Sequence, residues 1–153
     1  MSSTLTEVIT EPQQASEFLF NLIEQHKDSL GIAFLGIDER LKPEYPAVVI
    51  LSGGKEKIQH STHVFIVNME VYIMVYHSRL DMTHSQRTKE DLELVTGIEN
   101  IIESGEMNMD GRIVFAFVSQ TAPITGTGRM NDSVVGTQML VAIETRKGFP
   151  YGT

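Results

Sequence analysis

Between Glu70 and Tyr76 the chain reads Glu-Val-Tyr-Ile-Met-Val-Tyr, and this stretch restricts the fold more than any other. Successive side chains of a strand point to opposite faces. One face then carries Val71, Ile73 and Val75, and the other Tyr72, Met74 and Tyr76. Both faces are apolar or amphipathic, so the strand belongs in the middle of a sheet and needs cover on two sides. The β-rich run spans residues 56–78, with Asn68 marking a bend or a turn between two strands.

The flanking segments supply the other elements. Residues 11–27 read as a helix, because Ala15, Phe18, Leu19, Leu22 and Ile23 recur at helical spacing. Thr10 with Gln13 forms a capping-box pattern, and Pro12 falls in the first turn, where an amide has no partner to lose. Residues 31–37 form a short apolar run of strand length. A polar connection over 38–45 leads to Pro46 and a buried strand at 47–51, and Ser52-Gly53-Gly54-Lys55 reads as a turn. Residues 79–88 read as a polar loop carrying Arg79, His84 and Arg87. A second helix is expected from near Thr88, with Asp91 as a capping partner and Gly105 as its stop. Its apolar face would be Leu92, Val95, Ile98, Ile101 and Ile102. After a turn at 108–111, residues 113–118 form a strand and 121–132 a long loop rich in Gly, Thr and Pro. Residues 133–145 form a last strand in which Val135, Thr137, Met139, Val141 and Ile143 share a face. Residues 1–10 and 147–153 read as flexible ends of a single domain.

The expected order is α-β-β-β-α-β-β: an α+β fold with a mainly antiparallel sheet and two helices packed on one face. Two helices cannot cover both faces. Tyr72, Met74, Tyr76, Phe115 and Phe117, or their neighbours, are then left as apolar sheet surface that needs a partner.

Composition narrows the function classes. The 153 residues fit one domain, and the formal net charge is −8. An acidic chain gains nothing from counterion release on a phosphate backbone, so direct nucleic-acid binding is not expected. With no cysteine, disulfides, thiolate metal sites and a cysteine nucleophile are excluded. The polar first ten residues do not read as a secretory leader, and the apolar runs are too short to span a bilayer.

Catalytic patterns are weak. The Thr125-Gly126-Thr127-Gly128-Arg129 loop has the glycines of a phosphate cradle, but a strand follows it where a helix N-terminus is required. His60 and His63, read as strand residues, would point to opposite faces. His77, Asp81 and His84 lie in or near one loop and could converge, but a zinc site wants three or four closely spaced ligands with a second shell, so they read as solvated loop residues. No Gly-x-Ser-x-Gly elbow occurs, and Glu90/Asp91 and Glu103/Glu106 read as the solvated side of the second helix. The expectation is no catalytic, cofactor or metal site. Met107, Met109 and Met130, in turns and loops, are candidate contact residues.

The order of elements resembles the tail terminator (tail-completion, head-to-tail joining) proteins of long-tailed bacteriophages. The likeness covers about residues 11–146. It is carried by the helix with Phe18-Leu19-Phe20-Asn21-Leu22-Ile23, the strand Pro46-Ala47-Val48-Val49-Ile50 and the segment Gly53-Gly54-Lys55-Glu56. The strand from Val71 to Tyr76, the helix over 91–104 and two closing strands complete it. This chain departs in a longer polar front and a longer loop at 121–132. The resemblance implies a structural protein with no catalytic residues and no cofactor. It implies a hexameric ring that caps the tail tube, stops its polymerisation and presents a surface to the head connector at the head-proximal end of the virion tail. Assembly in the host cytoplasm, no membrane partner, and DNA passing through the lumen without specific binding are also implied. In that setting the 79–87 and 121–132 loops are expected to contact neighbours, with Arg79, Arg87 and Arg129 as cross-subunit salt-bridge donors. A different class, a small-molecule-sensing regulatory domain with a ferredoxin-like sheet, would need a pocket with convergent polar groups. A small hydrolase or isomerase would need a nucleophile, base or metal set.

Overall fold

The computed structural model describes residues 8–37, 44, 46–78, 84–104, 113–124 and 134–148. The elements are α1 (Pro12–Gln25), α2 (Lys27–Leu30), β1 (Phe34–Ile37), β2 (Ala47–Gln59), β3 (Val64–Ser78), α3 (His84–Glu103), β4 (Phe115–Pro123) and β5 (Val134–Gly148). The fold is α+β with one five-stranded sheet in the order β1-β2-β3-β5-β4.

The sheet is mixed. Every neighbouring pair is antiparallel except β1 and β2, which run parallel from Phe34 opposite Ala47 to Ile37 opposite Ile50. The antiparallel expectation fails at this edge. β1 is only four residues long, a rise of about 13 Å, so the end of β1 and the start of β2 lie no further apart than that along the strand direction. The amides of Ala33 and Phe34 fix this register by donating to the Pro46 carbonyl at 2.8 and 3.3 Å.

The Ser52–Lys55 segment is not a turn. β2 passes through it as a bulge, and its register against β3 shifts between Ser52 and Lys55. Gly53 lies where a Cβ would come within 2.6 Å of the Glu70 carbonyl oxygen, so glycine here permits close backbone approach. The turn falls later, at 60–63. There the amides of His60 and Ser61 donate to the Val64 carbonyl at 3.0 Å each. The Ser61 hydroxyl accepts from the amides of His63 and Val64 at 3.2 Å. His60 and His63 are therefore turn residues and not strand residues. β3 runs unbroken through Asn68, which is paired with Glu56 on one side and Glu144 on the other.

The helices differ from expectation at their ends. In α1 the cap is Glu11, one residue later than Thr10, and the Gln14 side-chain oxygen accepts from the amides of Thr10 and Glu11 at 3.2 Å each. Gly31, at φ 72°, closes α2 in the left-handed conformation that glycine adopts without strain. α3 begins at His84 and not near Thr88, which places His84 and Arg87 in helix and not in loop. Its inward side is Leu94, Val95, Ile98 and Ile102, whereas Leu92 is 62% exposed. Asp91 lies two turns before Ile98 and so on the same inward stripe. It is no cap: the Thr137 hydroxyl of β5 donates to it at 2.5 Å. β4 runs on through Thr121, Ala122 and Pro123, which the sequence placed in the loop; proline is tolerated because β4 is an edge strand.

The main core lies between the helices and one sheet face. Leu19 and Ile23 of α1, Ile98 and Ile102 of α3, Val48 and Ile50 of β2, and Val71, Ile73 and Val75 of β3 are buried in it. Met139, Val141 and Ile143 of β5 complete it. Ser16 and Ser52, buried and partly buried, join α1 to the bulge through a hydroxyl pair 2.9 Å apart. Among the described residues, no helix is long and apolar enough to cross a membrane.

Candidate interaction surface

The other sheet face is built from the alternate residues. Across it run the rows Val49–Met74–Gln138–Ala122 and Leu51–Tyr72–Leu140–Gln120. The row Glu70–Ala142–Phe117 and the row Asn68–Glu144–Phe115 follow toward the hairpin end. A second, small hydrophobic cluster forms here from Phe34, Ala47 and Val49 with Leu51, Met74 and Tyr76, all of them strand residues. No described helix residue enters it.

Phe115 and Phe117 are both 41% exposed, and their rings stack with centroids 5.6 Å apart. They stand two residues apart on one strand and so share a face. Val114, beside them, is also exposed. Tyr72, Met74, Leu140 and Ala142 are only half-buried, with the exposed Glu70 and the half-buried Asn68, Gln138 and Glu144 as polar fringe. An apolar sheet surface of this extent, rimmed by polar groups, is the mark of an interaction site.

The edges are blunted against uncontrolled pairing. β1 covers only Ala47–Ile50 of β2, and the uncovered length carries the bulge, Lys55 and Lys57. On the opposite edge the amide of Val118 donates to the Glu103 carboxylate of α3 at 2.9 Å. Lysines, a bulge and a satisfied edge amide all disfavour strand addition. The sheet offers its face more readily than its edges.

At the hairpin end, Lys55 forms an ion pair with Glu11. That bond, reinforced by the charges of Lys55, Lys57 and Lys147, holds the Glu11 carboxyl below its ordinary range, partly opposed by desolvation. The Lys57 ammonium stands 5.1 Å from the Phe65 ring centroid. An open cleft of about 440 Å³ between α2 and α3 is lined by Ser29, Leu30, Gly31, Pro46, Glu90, Glu93 and Leu94. A smaller one of about 210 Å³ borders the bulge at Gly54, Lys55, Glu56, Asn68 and Glu70. Among the described residues no group of three or more His, Asp or Glu side chains is placed to hold a metal.

Of the contact residues expected from sequence, Arg79, Met107, Met109, Arg129 and Met130 lie outside the described residues, as does most of the 121–132 loop. Arg87 belongs to the first turn of α3. The apolar face is where Tyr72, Met74, Tyr76, Phe115 and Phe117 were expected to leave it. Sequence reasoning missed the lysine group around Glu11, because the bulge that sets the direction of Lys55 and Lys57 was read as a turn. No protein-family model matches the chain, and no curated protein matches it either.

Proposed function

We propose that the chain is a ring-forming tail terminator of a long-tailed bacteriophage. Copies would close into a ring that covers the sheet, and the ring would cap the tail tube, end its polymerisation and receive the head connector. The observation that carries this reading is the open apolar sheet face. Four strands of some nine residues and the four-residue β1, at about 4.8 Å spacing, give a face of about 600 Å². Burying two such areas removes about 1,200 Å², at the lower end of the range of specific interfaces.

Two further features support the reading. The order of elements resembles that of the family. The acidic surplus lies on the helices, where Glu17, Glu24 and Glu103 are exposed outside the cleft between α2 and α3. A helix layer turned toward the channel would let DNA pass without adhering. The role is architectural and asks for no catalytic group. A heterologous contact that closes on itself gives a natural stop to a tube.

The test is tube capping. Purified tube protein polymerised with the chain should give tubes of limited length bearing a terminal ring in negative stain. Deleting residues 125–132 should abolish capping while the melting transition stays in place. Tubes of unchanged length in the presence of intact, folded protein would contradict the proposal.

A further inference from the structure

Two surfaces of opposite charge occupy opposite ends of this molecule. At the hairpin end, the bulge sets Lys55 and Lys57 of β2 level with Met69 and Val67, which face the helix layer. Lys147 of β5 is level with Phe65 on the same side. Among the described residues these three ammonium groups converge on the single carboxylate of Glu11, and Lys55 alone is bonded to it. Lys57 and Lys147 are exposed. At the other end, the cleft between α2 and α3 holds the exposed carboxylates of Glu90 and Glu93 beside Pro46. Pro46 precedes Ala47, which stands opposite Tyr76, while Lys57 stands opposite Val67. Nine residues of β3 separate the two levels, about 30 Å. The two surfaces cannot meet within one copy.

We propose that the lysine end of one copy docks in the acidic cleft of the next, as the head-to-tail contact that orders the ring. The inference rests on the ring reading and says which ends of neighbouring copies meet. The occupant is a second copy, because the complementary charge is carried by the same chain. A contact between two different surfaces is heterologous, the kind that builds rings and not two-fold dimers. Opposite charge also sets the direction of approach: like ends repel, so copies meet head to tail.

The test is charge reversal in the full chain. Lys57→Glu with Lys147→Glu keeps both partners of the Lys55–Glu11 pair, and Glu90→Lys with Glu93→Lys alters only exposed positions, so both variants should remain folded by thermal melting, the first with a slightly lower transition because the cation over Phe65 and two charges favouring Glu11 are lost. Each should need at least about a hundred-fold more protein to assemble at low salt, read by light scattering. The chain bearing all four reversals should regain assembly to within about ten-fold of wild type. Raising salt to about 1 M should weaken wild-type assembly, since screening then acts within about 3 Å. Either two-site variant assembling like wild type, or wild-type assembly indifferent to salt, overturns this contact and leaves the ring reading standing. A wild type that stays a single chain at every concentration overturns both.

Discussion

Gly53 and Gly54 are adjacent and alike in sequence, yet the structure separates them. A Cβ on Gly53 would press on the Glu70 carbonyl at 2.6 Å and on the Tyr72 ring at 3.0 Å, whereas one on Gly54 would meet nothing within 4 Å. Gly53→Ala should therefore destabilise the fold by about 1–3 kcal/mol. Gly54→Ala should shift it by no more than about 0.5 kcal/mol. Denaturant titration of the two variants checks both, and equal effects would remove the bulge from its assigned place. Thr145 carries another residue-level prediction. Its hydroxyl is fully buried and finds no partner among the described residues. Thr145→Val keeps the shape and removes the unsatisfied group, so it should raise stability by about 1 kcal/mol in the same titration. Glu11 gives the pH dependence. Its folded-state pKa is depressed by Lys55, so its contribution is present above the ordinary carboxyl value and is lost as pH falls through the lowered one. Glu11→Gln should lower stability slightly at neutral pH and converge on the wild type at acid pH, so that the acid limb of a stability-against-pH curve is flatter.

At the scale of elements, α3 is held to the sheet by Asp91 reaching Thr137 and by Glu103 reaching the Val118 amide. Asp91→Ala leaves a nearly buried threonine without its acceptor and should destabilise by about 1–3 kcal/mol, measured by thermal or denaturant unfolding. Much of this level was legible in sequence. The alternation of β5 placed Met139, Val141 and Ile143 on one face, and the spacing in α1 placed Leu19, Leu22 and Ile23 inside. What failed did so for identifiable reasons. Gly-Gly between apolar runs is the signal of a turn, and only cross-strand register distinguishes it from a bulge. Pro123 signals a loop until β4 is known to be an edge. Leu92 fits a helical apolar stripe by composition, but the stripe is set by Leu94, Val95 and Ile98, and Asp91 takes the inward place because a threonine waits there. The parallel seat of β1 rests on its pairing with β2 and on the Pro46 carbonyl that Ala33 and Phe34 reach, which local pattern does not encode.

At the scale of the whole molecule, one sheet has a helical layer on one side and an apolar surface on the other. That imbalance follows from the alternation Val71/Ile73/Val75 against Tyr72/Met74/Tyr76, and from two long helices standing on the same side. We propose that further copies of the chain cover the exposed side. The decisive measurement is sedimentation velocity of the pure protein across a wide concentration range, with Phe115→Asp/Phe117→Asp as the paired variant. The wild type should sediment as a closed multiple of the chain mass, and the variant as a folded single chain. A wild type that sediments as one chain throughout, or a variant that assembles unchanged, would contradict this proposal.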